Sequence, residues 1–262
     1  MSLDRHVHDY FSTPNTVSRW WNPDDGPLAF HYDAELTVLE NELPIDPTWH
    51  VLDLGTGRGR VGAYLASRGC RVAGVELNPD MLAAARDTAR RQGVEDHFEL
   101  HQGSAEDLSA FASDDFQLVT CMELFDHLPD LAPVLAEARR VLEPAGWFAF
   151  TYVPGASAYG TFGNVYRRVR GRRGTQIISR TYSTREVRRA LTAAGFELDG
   201  YFGLGVLCLS AQTRLFQNNV LVRAVTALAR AEARRWPYYR RPWLARHGAH
   251  VVGLARVQPS AG

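Results

Sequence analysis

The sequence predicts an α/β fold built on an open, doubly wound, mostly parallel sheet. Three observations predict it. Short apolar runs alternate with helix-like segments from His50 onward. Glycine or proline punctuates the junctions between them. A glycine-rich turn, Gly55-Thr56-Gly57-Arg58-Gly59, follows the first run directly. Parallel strands need crossover helices, and that combination buries both faces of a sheet.

The elements are justified in order. Residues 1–48 carry Pro14, Pro23, Pro27, Pro44 and Pro47, with helical pieces between them. Tyr32–Leu43 reads as a helix, because Leu36, Leu39 and Leu43 recur at spacings of three and four. Strands are expected at His50–Leu54, Arg71–Glu76, Phe98–His101, Phe116–Cys121, Trp147–Val153, within Phe196–Leu209, and at His250–Val257. Helices are expected at Arg60–Arg68, Pro79–Gln92, Leu131–Leu142 and Ser183–Ala194. Pro79 suits a first helical turn, Ser183 or Thr184 a cap, and Gly69, Gly93 and Gly195 the positions past a helix end. The second of two interruptions, residues 154–182 and 210–248, is mostly helical in pattern.

Length and composition set the frame. The 262 residues, 45% of them hydrophobic, suffice for one sizeable core. No apolar run reaches membrane-spanning length and the start is polar, so a cytoplasmic location is expected. Cys70, Cys121 and Cys208 lie far apart with no C-x-x-C pair, which argues against a disulfide framework or a zinc site. No metal is expected on that ground. All 29 basic residues are Arg. Residues 1–150 hold 11 of them against 25 Asp and Glu, and residues 151–262 hold 18 against 4.

The motif with chemistry in it is Val51-Leu52-Asp53-Leu54-Gly55-Thr56-Gly57-Arg58-Gly59. Glycines there let the backbone turn tightly and approach a ligand, and a helix N-terminus behind them faces it with free amides. Gly57-Arg58-Gly59-Arg60-Val61-Gly62 also spells the dinucleotide fingerprint, with Glu76 at the expected distance. Asp53 speaks against that rival, because a carboxylate so placed repels a pyrophosphate and suits a cationic amino group. Glu76, ending the second strand, can accept both hydroxyls of a ribose. The third strand leads into Gly103-Ser104-Ala105-Glu106-Asp107-Leu108, and the fourth into Cys121-Met122-Glu123-Leu124-Phe125-Asp126-His127-Leu128-Pro129-Asp130. Leu142-Glu143-Pro144-Ala145-Gly146 precedes the fifth.

With these motifs in succession the sequence resembles the Rossmann-like class I S-adenosylmethionine-dependent methyltransferases, especially the small-molecule branch of ubiquinone and menaquinone biosynthesis type. The resemblance covers residues 50–155 well, and residues 183–209 and the last strand more loosely. It implies seven strands with the last antiparallel, and S-adenosyl-L-methionine as cofactor. Asp53, Gly55, Thr56, Gly57 and Gly59 would then line its methionine end. Glu76 would hold the ribose hydroxyls and Leu77 would pack on adenine. Ser104, Ala105 and Glu106 would border the adenine edge; many relatives carry Asp or Asn where Ser104 stands, which leaves Glu106 or Asp107 as substitutes. Cys121 and Met122 would adjoin the methionine portion through their backbone. Bland readings stand beside these: Gly59 and Gly62 as packing glycines, Glu76 as a solvated strand end, Cys121 as a small buried hydrophobe.

For an acidic hydroxyl acceptor, His127 is the first candidate base and His31 the second, each set against a structural role. Tyr152 could donate or stack. Residues 49–153 and 183–209 would be cofactor-binding core in a single domain. Residues 1–48 would be an N-terminal helical lid, 154–182 an insertion, 210–248 a helical insertion, and 249–262 the last strand and tail. The expected reaction is O-methylation of a small, specialised metabolite, anionic or carrier-bound if the basic back part meets it. That part includes Arg167, Arg168, Arg170, Arg172 and Arg173, and an amphipathic stretch over 214–235 with Leu228 on its apolar side. It could instead face a membrane surface; nucleic acid ranks lowest. The rival activities are an NAD-dependent oxidoreductase and a cofactor-binding protein without methyl transfer. The oligomeric state is not legible.

Overall fold

A computed structural model describes residues 29–128, 130–158, 160–161, 180–206 and 220–258, with side chains described from Tyr32 and, in the last stretch, from Ala227. The expected elements appear in the expected order. They are α1 (Ala29–Glu42), β1 (His50–Leu54), α2 (Arg60–Ser67), β2 (Arg71–Glu76), α3 (Pro79–Gln92), β3 (Phe98–Gln102) and β4 (Phe116–Cys121). After a 3₁₀ turn at Phe125–His127 come α4 (Ala132–Val141), β5 (Leu142–Tyr152), α5 (Thr184–Ala193) and β6 (Phe196–Leu204). The chain continues through α6 (Val220–Arg235), the short turn α7 (Pro242–Ala245) and β7 (His250–Val257).

The seven strands lie in the order β3-β2-β1-β4-β5-β7-β6. The first five are parallel, and β7 runs antiparallel between β5 and β6. Period-two alternation sends side chains to two cores. Leu52, Phe116, Val119, Phe148 and Phe150 pack with α4 and α5 on one face. Val51, Leu118, Trp147 and Ala149 pack with α1 and α2 on the other. On the first face Phe125 stacks on Phe150 with ring centroids 4.9 Å apart, tying the turn after β4 to the sheet.

Local signals explain the boundaries. Asn78 caps α3 by accepting from the Asp80 and Met81 amides, and Gly93 ends it in the left-handed conformation. Ser183 and Glu186 form a reciprocal capping box at α5. Two expectations are corrected. The β5 strand begins at Leu142 instead of Trp147, because Leu142 already pairs with Phe116 of β4, and residues 143–146 bulge out before Trp147 pairs with Leu118, with Ala145 at φ 65°. Among the described side chains of α6, from Ala227 on, Ala229 and Glu232 turn inward, while Leu228 is exposed. Glu232 accepts from the Val206 amide (2.9 Å) and the Tyr239 hydroxyl (2.7 Å), so a carboxylate replaces the expected apolar anchor. The Arg167–Arg173 run lies outside the described residues.

Candidate cofactor loop and active site

The carboxyl ends of the parallel strands gather the candidate residues along one edge. In open α/β sheets ligands bind in the crevice outside that edge. Gly55, Gly57 and Gly59 have φ of 65°, 56° and 79°, values that L side chains rarely adopt. They do different work. A Cβ on Gly59 would come 3.0 Å from Phe98 and 3.1 Å from Ala85, and one on Gly62 would come 2.3 Å from Phe98. These two glycines let α2 pack on β3. A Cβ on Gly57 would meet only the Gly55 carbonyl oxygen, at 3.8 Å. Gly57 therefore borders open space, the kind of cradle that a ligand can enter and a side chain would fill.

Two carboxylates hold this loop. Asp53, fully buried, accepts from the Thr56 hydroxyl (2.6 Å), the Thr120 hydroxyl (2.6 Å) and the Gly62 amide (3.1 Å). Burial pushes its pKa up, against those bonds. The sequence suggested that Asp53 meets a cationic ligand group; its described bonds shape the loop and take a helix N-terminal amide. Glu76 accepts from the Gly57 amide (3.0 Å) and the Asn78 amide (2.9 Å), which fixes its carboxylate beside the open glycine. Burial raises its pKa as well, opposed by those amides.

The remaining candidates surround this centre. Leu77 is 38% exposed, an apolar surface left bare at the end of β2. Gly103 donates to the Glu76 carbonyl oxygen (3.1 Å), which brings the Ser104-Ala105-Glu106 turn alongside. Ser104 accepts from the Glu106 amide (3.1 Å). Cys121 and Met122 are buried at the end of β4, and burial holds the Cys121 thiol well above its ordinary range. His127 closes the 3₁₀ turn, mostly buried, with Nε2 3.7 Å from Asp126 Oδ2. The side chain of His31 lies outside the described residues. Tyr152 is buried and hydrogen-bonded to Thr184 (3.0 Å), a core tyrosine by its contacts.

Sequence reasoning missed a cluster of charge beside this loop. Glu35 from α1, Arg60 from α2, Glu123 after β4 and His250 at the head of β7 converge. Arg60 ion-pairs with Glu35 and donates to the Tyr32 carbonyl oxygen (3.0 Å). His250 Nδ1 lies 3.0 Å from Glu123 Oε1. Glu123 takes φ 58°, a left-handed conformation that costs a non-glycine residue about 1–2 kcal/mol. Its amide donates to Thr151 Oγ1 (2.5 Å), which offsets part of that cost. Burial raises Glu35 to about 8 against the pull of Arg60. Burial also resists the charge on His250, but Glu123 wins and lifts it to about 9; burial likewise opposes ionisation of Glu123, and His250 overcomes it and holds that carboxyl low. One signal in the sequence could have found Glu35: it stands on the buried stripe of α1 with Val38 and Leu39, where an acid needs a partner.

Comparison with known proteins now places the chain. A methyltransferase-domain family model matches residues 52–150. The ubiquinone biosynthesis O-methyltransferase of Thiobacillus denitrificans is 32% identical over 191 residues, covering 71% of this chain and 81% of that protein. The chain belongs to the class I S-adenosylmethionine-dependent methyltransferases, in their ubiquinone-biosynthesis-like branch. This methyltransferase is also similar to the ubiquinone biosynthesis O-methyltransferase of Methylococcus capsulatus, at 28% identity over 80% of this chain and 90% of the relative. Two solved structures share its fold. The [4+2]-cyclase SpnF has a TM-score of 0.66 at 17% identity, covering 99% of this chain and 98% of its own. Geranyl diphosphate methyltransferase with S-adenosylmethionine has 0.61 at 19%, covering 92% and 94%. The methyltransferase is thus an enzyme whose family implies S-adenosylmethionine as methyl donor. Among the described residues no helix is long and apolar enough to cross a membrane.

Proposed function

We propose that this enzyme methylates a hydroxyl oxygen of a small-molecule acceptor, with the donor held in the cradle between Gly57 and Glu76. The observation that carries the reading is that cradle: a left-handed glycine bordering open space, with a buried carboxylate fixed beside it. The two curated relatives named above are both ubiquinone biosynthesis O-methyltransferases, which supports oxygen as the acceptor atom. A specialised metabolite as acceptor, and a cytoplasmic location, belong to the same reading.

Residue roles follow from chemistry and position. Gly55, Thr56 and Gly57 line the methionine end, with Asp53 and Gly59 shaping the loop behind them. Glu76 accepts the ribose hydroxyls, Leu77 offers its bare surface to adenine, and Ser104, Ala105 and Glu106 border the ring edge. Cys121 and Met122 present backbone to the methionine portion. Bound there, S-adenosylmethionine supplies a methyl group already activated on a sulfonium. The protein has then to align the acceptor oxygen, which can contribute about 7–11 kcal/mol. A general base adds roughly 10²–10⁴-fold, so alignment outweighs it. His127, backed by Asp126, is the proposed base, and His31 the second candidate. Residues 1–48, 154–182 and 210–248 serve as substrate cover over one core domain, with a small anionic acceptor favoured by their arginines.

Calorimetric titration with S-adenosylhomocysteine tests the cradle. Wild type should bind at micromolar Kd, and Glu76→Ala should bind about tenfold more weakly or worse, a loss of about 1.4 kcal/mol. Binding unaffected by Glu76→Ala would remove the ribose role.

A further inference from the structure

We propose that Glu35, Glu123 and His250 form a binding site for one divalent cation of the Mn²⁺ class. The three side chains offer two carboxylate oxygens and an imidazole nitrogen, all within 4.8 Å of one another. That mixed oxygen and nitrogen set suits first-row divalent ions. Cysteine spacing could not reveal it, because no cysteine takes part.

The second observation is an orphaned oxygen. Glu35 is fully buried; its Oε2 is engaged by Arg60, and its Oε1 receives no hydrogen bond from any donor group. The Glu35 carboxyl faces the Glu123 carboxylate. Such a contact needs either a proton on Glu35, as in the metal-free protein, or a cation: with both groups ionised they are acceptors only, and a buried acceptor without a donor is costly. A cation between them removes that cost, because each oxygen then has a positive partner. The spacing agrees. Two ligands at right angles about an ion with bonds of about 2.1 Å stand about 3.0 Å apart. His250 Nδ1 and Glu123 Oε1 are 3.0 Å apart.

The surroundings are those of a built site. Arg60 orients Glu35 from outside, as partners of metal ligands do. Thr151 fixes the Glu123 backbone in its left-handed conformation. Three protein ligands leave further coordination positions open, and an open position can take a water or a substrate oxygen. The next residue, Leu124, packs on the loop: a Cβ on Gly55 would come 3.1 Å from its Cδ2. The cation would therefore stand beside the cofactor loop, where it can polarise an acceptor hydroxyl. Cation binding itself rests on neither donor nor acceptor.

The test is Mn²⁺ titration of the chelator-treated full chain, read by loss of the free-ion paramagnetic resonance signal and by calorimetry. About one Mn²⁺ per chain should bind, and Glu35→Gln and His250→Gln should each weaken binding roughly tenfold or more. Glu99→Gln, at the exposed pair with His101, should leave it unchanged. Mn²⁺ should also raise the melting temperature of wild type, a readout that survives if a variant fails to fold. Absence of binding to wild type, or equal binding by wild type and both folded variants, overturns the site and assigns the carboxylate contact to a shared proton. Titration of the same preparations with S-adenosylhomocysteine reads the cofactor cradle separately.

Discussion

Within six residues the loop uses glycine for two separable purposes. Gly62 exists for packing, since an added methyl would press into the Phe98 ring at 2.3 Å. Gly62→Ala should therefore lower stability by about 1–3 kcal/mol in urea denaturation, with cofactor affinity of the folded fraction unchanged. Gly57→Ala should cost about 1–2 kcal/mol for its left-handed backbone, because no protein atom crowds it. It should also weaken S-adenosylhomocysteine binding, because its methyl enters the cradle. Equal affinity in both variants would show that the donor does not approach Gly57. Asp53→Ala should be more damaging to the fold: it strands two hydroxyls and one amide, at roughly 1–3 kcal/mol for each donor left unpaired. The glycines were legible in the sequence; their division of labour was not, because it depends on Phe98 and Ala85 arriving from other elements.

At the scale of elements, legibility tracks how many local signals agree. Pro79, Asn78 and Gly93 all mark α3, and its bounds are as expected. The strand β5 has a Pro-Ala-Gly entry that reads as a turn, yet pairing with β4 extends it back to Leu142. The stripe of α1 was read from Leu36, Leu39 and Leu43, and all three pack on the core. The reading left out Glu35, which is buried beside them because Arg60 and Glu123 meet it there. The interruption after β5 shows how an insertion can be borne by a regular sheet. Its two ends are clasped: Gly155 donates to the Tyr182 carbonyl oxygen (3.0 Å), and the Tyr182 amide donates to that of Val153 (2.9 Å). The Tyr182 hydroxyl reaches the Phe125 carbonyl oxygen (3.2 Å), so the clasp also steadies the turn that carries His127. Tyr182→Phe should cost about 1 kcal/mol and speed amide exchange at Phe125–Leu128, measured by hydrogen-exchange mass spectrometry. Unchanged exchange would confine the clasp to the insertion itself.

For the whole molecule, the doubly wound architecture was readable because strand-like runs, most of them followed by a helix-period segment, recur along the chain and build one seven-stranded sheet. The position of β7 was not, since nothing local in His250–Val257 says which strands will flank it. The buried cysteines report on this common core. Cys70 and Cys121 lie on opposite faces of the sheet and are fully buried, and Cys121 has its thiol held protonated by burial. Alkylation of Cys121 should therefore follow global unfolding, with a urea midpoint matching that of circular dichroism. Labelling well below that midpoint would reveal a local opening of the β4 edge.

The slot between β5 and β6 is filled by the strand synthesised after both. While the chain grows from its N-terminus, β6 has among the described residues only the single bridge of Gly203 to Tyr239 until His250–Val257 emerges. The same late arrival delivers His250 to Glu35 and Glu123, which were made more than a hundred residues earlier. Nascent protein would thus hold a formed glycine loop beside an unfinished charge cluster. Ribosome-bound chains halted before His250 offer a natural intermediate in which donor recognition precedes completion of the catalytic edge.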